Sequence, residues 1–268
     1  MKEEIDKKLG RMAIFVSSKG GVGKTVISVN VAAALASKGF STCIIDGSFQ
    51  FGDVNLALDI QPRYTISDLA QKGEELEEIK ISDYLYNHDS GLKVLSAPLK
   101  PELADLITPD MIPVICDKLR EDNEYLIVDL TTGISEISLN FIEMADLVFI
   151  VTDLELSALR NTKTMLKTFE KLNMESKLRV VVNRSDTETL TKASQVPDIL
   201  ETNDIIYVMN NFKVVTKSLN IGIPFVISKP KEKITSDIIS ISKEFNMDSS
   251  QSRRRRKRKS GLMGILAR

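Results

Sequence analysis

The sequence predicts an α/β fold: a mostly parallel, twisted sheet with helices on both faces. Short continuous apolar runs recur along residues 11–246, and such runs read as strands buried on both sides. Helical patterns fall between them, and this β-α-β-α rhythm is that of a parallel sheet with crossover helices. Trp is absent and aromatic residues make up only 6% of the 268-residue chain, so the core is aliphatic, as suits buried parallel strands. The length suffices for one large domain.

Met12 to Ser17 reads as the first strand. A glycine-rich turn follows, then a helix from Val26 to Ser37, with Val26, Ile27, Val29, Val31, Ala32 and Leu35 as its apolar positions and Gly39 as its C-cap. Thr42 to Asp46 is a second buried strand. Further strands are expected at Tyr125–Asp129, Leu147–Thr152, Leu178–Asn183 and Ile205–Val208. Helices are expected at Ile137–Met144, Ser157–Leu172 and Ser194–Leu200. No repeat or long linker interrupts this run, so the chain divides into a short extension (1–11), one domain (12–246) and a tail (247–268). The extension is charged and has no apolar stretch of the kind found in a signal peptide. Nothing approaches the roughly 18 apolar residues of a spanning helix. Cys43 and Cys116 lie in apolar surroundings, and with the lone His88 they show no metal-ligand spacing. They read as reduced core thiols in a reducing cytoplasm.

The chemistry concentrates after the first strand. Ser18-Lys19-Gly20-Gly21-Val22-Gly23-Lys24-Thr25 follows the pattern G-x-x-x-x-G-K-[ST], with Ser in place of the first Gly. Between a strand and a helix, such a loop wraps backbone N–H groups around phosphate oxygens at the positive end of the helix. The expected binding set is Ser18 to Val26. Lys24 would reach the outer phosphates, and the Thr25 hydroxyl would sit on Mg²⁺. This predicts a P-loop NTPase with ATP and Mg²⁺ as cofactors. Ser18 is compatible with the loop if that position keeps a negative φ. Tyr125-Leu126-Ile127-Val128-Asp129 is an apolar strand ending in a carboxylate, which reads as a Walker B element. Asp129 would hold the magnesium shell, largely through water. Gly133, four residues on, would bring its backbone N–H near the terminal phosphate.

Lys19, just ahead of the glycines, gives KGGxGK[ST], which resembles the deviant Walker A motif of the ParA/MinD family. The resemblance extends over nearly all of residues 11–246. It implies an ATP-bound homodimer in which Lys19 reaches the phosphates of the opposite subunit, in the manner of an arginine finger. It also implies a catalytic set of Lys19, Lys24, Asp46 and the residue two after Asp46. The family usually has D-x-D there, and this chain reads Asp46-Gly47-Ser48. A hydroxyl orients water but is a poor proton acceptor at neutral pH, so slow or impaired hydrolysis with intact ATP binding is expected. Asp53 is a candidate substitute. Asn183-Arg184 matches the adenine side of the family's site, and Val208-Met209-Asn210-Asn211 stands where a second base contact is often found. Phe49–Leu56, Thr65–Leu69, Gly91–Pro98 and Leu159–Lys163 are similar to the CpaE/TadZ pilus-assembly branch. Many of its members begin with a receiver-like domain, for which the roughly ten residues ahead of the first strand leave no room.

Residues 253–268 carry eight Arg or Lys and no acid, so the formal net charge of −1 splits into +8 here and −9 elsewhere. Seven consecutive cations, Arg253 to Lys259, precede Leu262, Met263, Ile265 and Leu266. Three readings compete: an anionic-membrane anchor, nucleic-acid binding and a solubilising tail. Each cation near an anionic surface contributes about 1 kcal/mol. The apolar end favours the membrane over DNA, since duplex phosphates gain nothing from Leu and Ile. The whole reads as a cytoplasmic protein, peripheral at the inner face of the cell membrane. Its expected partners are a second copy, the membrane, and a protein of a pilus, secretion or division system. A non-hydrolysing scaffold and a DNA-partitioning ATPase are the alternatives.

Overall fold

A computed structural model describes residues 9–246. The tail and its candidate anchor, residues 253–268, lie outside the described residues, as do residues 1–8. In chain order the elements are β1 (Arg11–Ser17), α1 (Lys24–Ala36), β2 (Thr42–Gly47), α2 (Val54–Ala57), α3 (Ile66–Ala70), β3 (Tyr86–Asn87), β4 (Lys93–Leu95), α4 (Met111–Asp122), β5 (Tyr125–Thr132), α5 (Glu136–Met144), β6 (Leu147–Thr152), α6 (Leu156–Lys171), β7 (Leu178–Val182), α7 (Val196–Leu200), β8 (Ile205–Tyr207), α8 (Phe212–Ile221), α9 (Phe225–Ser228) and α10 (Lys233–Lys243).

The eight strands form one sheet in the order β3-β4-β2-β5-β1-β6-β7-β8. The pairings are parallel except at the edge, where β3 runs antiparallel to β4. The predicted P-loop sheet architecture is therefore present. Apolar side chains alternate across it. Met12, Ile14 and Val16 of β1 join one core with α3, α4, α5 and α6. Ala13 and Phe15 join a second core with α1, α9 and α10. In the second core the Phe15 and Phe149 rings stack at 4.8 Å. Each such fully buried side chain contributes roughly 2 kcal/mol. Cys43 and Cys116 are free thiols in the first core, and burial pushes the Cys43 thiol up to about 12.

Several boundaries differ from the sequence reading. Helix α1 begins at Lys24, two residues before the expected start, because Gly23 caps it in a left-handed conformation. Strand β5 runs on to Thr132, paired with Ser17 past a register shift in β1. The expected helix at Ser194–Leu200 splits into a 3-10 turn (Ala193–Gln195) and α7, with Pro197 in the first turn of α7. The pattern reading had no α4, α8 or α10, although apolar residues recur there at helical spacing, as at Ile112, Ile115 and Leu119 of α4 and Ile234, Ile238 and Ile241 of α10.

Candidate phosphate-binding site

The site lies at the carboxyl ends of β1, β2 and β5, the edge where open α/β sheets bind their ligands. Ser18 keeps a negative φ, so replacement of the first Gly causes no strain, and its hydroxyl lies 3.1 Å from that of Thr162. The turn closes at Gly23, with φ of +89°. Helix α1 then starts with no acidic residue in its first turn, leaving its positive end uncompensated for an anion.

Three side chains of α1 converge on Asp129. The Lys24 ammonium is 2.9 Å from Oδ1. The Thr25 hydroxyl donates to Oδ2 at 2.7 Å. The Ser28 hydroxyl donates to Oδ1 at 2.9 Å. Asp129 is fully buried and Lys24 nearly so. A lysine, a hydroxyl and a carboxylate at the mouth of a glycine loop are the donor set that phosphate oxygens and a hydrated Mg²⁺ require, so the residues fit the expected cofactor. No cluster of three or more His, Cys, Asp or Glu competes as a metal site among the described residues.

Asp46 is the register partner of Asp129 on β2 and is also fully buried. Its carboxylate accepts from the backbone N–H of Ser48 at 3.1 Å and of Val54 at 3.0 Å, fastening the loop between β2 and α2. Gly52 packs against it so closely that a Cβ would overlap Oδ2. Burial, and then the neighbouring Asp129, push the Asp46 carboxyl up to about 7. Ser48 directly follows the end of β2, two residues after Asp46. Asp53 is exposed at the head of α2, where its carbonyl accepts from Ala57 N–H at 2.9 Å.

Three expected roles meet a different local geometry. Lys19 is engaged within its own chain, 2.5 Å from the Glu155 carboxylate and 3.1 Å from the Ser157 hydroxyl at the start of α6. Gly133 donates its N–H to the Ser17 carbonyl at 2.9 Å, so that donor is spent on the strand rather than turned to a phosphate. Asn183 lies just past β7 and turns its side chain to the loop. Its Nδ2 donates to the Val22 carbonyl at 2.8 Å, and its Oδ1 accepts from Arg184 N–H at 2.9 Å. Arg184 itself is exposed with φ of +52°. Asn210 donates its backbone N–H to Asp186 and Asn211 caps α8.

Ser28, Glu155 and Ser157 were missed by the sequence reading. Ser28 had a signal: it is one helical turn from Lys24 and shares its face. Glu155 and Ser157 had none, because nothing local relates them to Lys19.

The AAA domain family (AAA_31) matches residues 10–182. A "Putative septum site-determining protein MinD" of Guillardia theta is 28% identical over 228 residues, spanning 82% of each chain. The structure of a ParA family ATPase from Chlorobium tepidum TLS superposes with a TM-score of 0.80 at 22% identity, covering 87% of this chain and 98% of that one. That of the septum site-determining protein MinD complexed with Mg-ADP, from Pyrococcus horikoshii OT3, gives 0.77 at 21% identity, covering 91% and 99%. Both likenesses are likenesses of fold.

Proposed function

The chain belongs to the AAA_31 family of AAA domains, with ParA- and MinD-like proteins as its relatives, and on that premise we propose that it is an ATP-dependent dimerising switch that positions a macromolecular assembly. The observation that carries the reading is the convergence of Lys24, Thr25 and Ser28 on Asp129 at the loop. Bound Mg²⁺·ATP supplies a polyanion whose charge changes on loss of its terminal phosphate. Lys24 and Thr25 would hold its phosphates, and Asp129 would serve the hydrated cation. The site-placement role is supported by the septum site-determining relative. Dimerisation is the finer part of the proposal, and Lys19 is its instrument: exchanging Glu155 for a partner's phosphates turns an exposed ion pair into a buried one. Tails brought together by a dimer bind a surface far better than single ones, so residues 253–268 are assigned to an anionic membrane. The CpaE/TadZ-like segments make pilus or secretion machinery the partner of choice.

Hydrolysis is proposed to be slow. Ser48 brings no charge, and Asp46 is occupied in holding its own loop. That occupation favours a second reading, a nucleotide-gated scaffold that hardly hydrolyses ATP.

Calorimetry with ATP, with and without Mg²⁺, tests the core of the proposal. A magnesium-dependent heat that disappears in Lys24→Ala is expected, and no such heat from the folded wild-type chain overturns it. Steady-state phosphate release separates switch from scaffold. Co-sedimentation with anionic liposomes and with DNA, with and without residues 253–268, tests the anchor. Unchanged liposome binding after truncation, or binding to DNA alone, overturns that assignment.

A further inference from the structure

We propose that Ser28 is a positioning residue for the cation's carboxylate: it keeps Asp129 aimed when Lys24 and Thr25 turn to the nucleotide. The proposal rests on the reading that the loop takes Mg²⁺·ATP. Ser28 and Asp129 are both fully buried. The Ser28 hydroxyl lies 2.9 Å from Asp129 Oδ1 and 3.1 Å from the Thr25 carbonyl. It has one proton to donate. The carboxylate is the nearer acceptor and the charged one, so it takes the stronger bond.

The three partners of Asp129 differ in what else they can reach. Lys24 carries its ammonium on a long flexible stem, and Thr25 stands beside it in the first turn of α1. Both have a second destination, the phosphates for Lys24 and the cation for Thr25. Ser28 has none. It lies four residues past Lys24, about 6 Å further along the helix axis from the phosphate loop. Its hydroxyl turns on a single bond, and its neighbours Ile27 and Val29 are packed in the second core. Ser28 therefore stays on Oδ1 when Lys24 leaves that oxygen. A carboxylate held by one oxygen is no longer free to swing. Oδ2 is kept on the side of Thr25, whose hydroxyl is 2.7 Å away. Groups placed in this way, one step back from a metal, orient the side chains that serve it.

The test is calorimetry of ATP binding by the full chain, in excess Mg²⁺ and in EDTA. The ratio of the two affinities is the magnesium gain. Ser28→Ala removes the hydroxyl at little change in volume, and Ser28→Thr keeps it. The gain is expected to fall about tenfold in the alanine variant and to stay near wild type in the threonine variant. Melting temperatures are recorded for both. A hydroxyl that only stabilises the helix would lower the melting temperature of Ser28→Ala and leave its gain at the wild-type value, a result that overturns the proposal. An equal fall in both variants overturns it too, because threonine retains the donor. Ser28→Cys, with a weak donor of similar size, replaces the alanine variant if that one fails to unfold cooperatively, and the same fall is expected. If the wild-type chain binds ATP with no magnesium gain, or does not bind it, the nucleotide reading itself falls, an outcome visible before any variant is made.

Discussion

Asp129 and Asp46 sit opposite each other on adjoining strands, both fully buried, and the protein holds them in opposite ways. Asp129 meets an ammonium and two hydroxyls, all from α1. Asp46 meets two backbone N–H groups, one just past its own strand and one at the first residue of α2. One carboxylate has partners, Lys24 and Thr25, that can exchange it for a phosphate or a cation. The other is a fastener. The difference teaches that burial alone does not make a strand-end acid a ligand. What matters is whether its partners are movable side chains or the chain's own main-chain turns.

Asp129→Ala breaks the comparison most directly. It leaves the nearly buried Lys24 without its counter-charge, and breaking a buried pair costs about 3 kcal/mol or more. Urea denaturation should show that loss, and calorimetry should show no magnesium dependence of ATP binding. If Asp46→Ala costs as much and also removes the magnesium dependence, the two acids are equivalent and the contrast is wrong.

Ser48→Asp sharpens the contrast by restoring a free carboxylate two residues after the fastener. A positioned proton acceptor accelerates a reaction by roughly 100-fold or more, and phosphate release should rise on that scale. An unchanged rate would show that the missing acid is not what limits turnover.

The pH response distinguishes the fastener by itself. The Asp46 carboxyl is raised from its ordinary value to about 7 in the folded chain. Between about pH 4 and 7 the folded state therefore binds more protons than the unfolded one, and this group's contribution to stability falls as pH rises. Asp46→Asn removes that dependence. Relative to wild type, without magnesium, its melting temperature should climb from pH 5 to pH 8. A difference that is constant with pH would mean that Asp46 stays ionised.

Glu155 supplies the smallest effect, since it is an exposed acid, held below the usual carboxylate range by Lys19 and then Ser157. Glu155→Gln should leave the melting temperature unchanged, because exposed pairs contribute little. It should raise the fraction of ATP-dependent dimer in analytical ultracentrifugation, most visibly at low salt. A lower dimer fraction would make Glu155 a support for Lys19 rather than a restraint on it.

Much of this was legible along the chain. The core strands β1, β2, β6, β7 and β8 fall within a residue of where their apolar runs place them, since a strand buried on both faces has little choice of composition. Lys24, Thr25 and Asp129 were readable because the loop's chemistry demands those residue types in that order. The short edge pair β3–β4 was not, because strands of two and three residues show no period; α4, α8 and α10 do carry apolar residues at helical spacing and were legible in principle. The contacts that Asn183 and Gly133 make within the chain were not legible, for a related reason: the sequence shows which polar group stands at a strand end, but not which neighbour takes it up.

The sequence by itself determined a phosphate loop between a strand and a helix, an acid at the end of a buried strand, and an acidic body with a basic tail. Each of these is a local property, settled by residue types a few positions apart. Only the tertiary structure decided that Ser28 joins Lys24 on Asp129, that Lys19 rests on Glu155, and that Asn183 grips Val22, 161 residues away in the chain. The sheet order decides them: β5 inserts between β1 and β2, and β6 stands between β1 and β7.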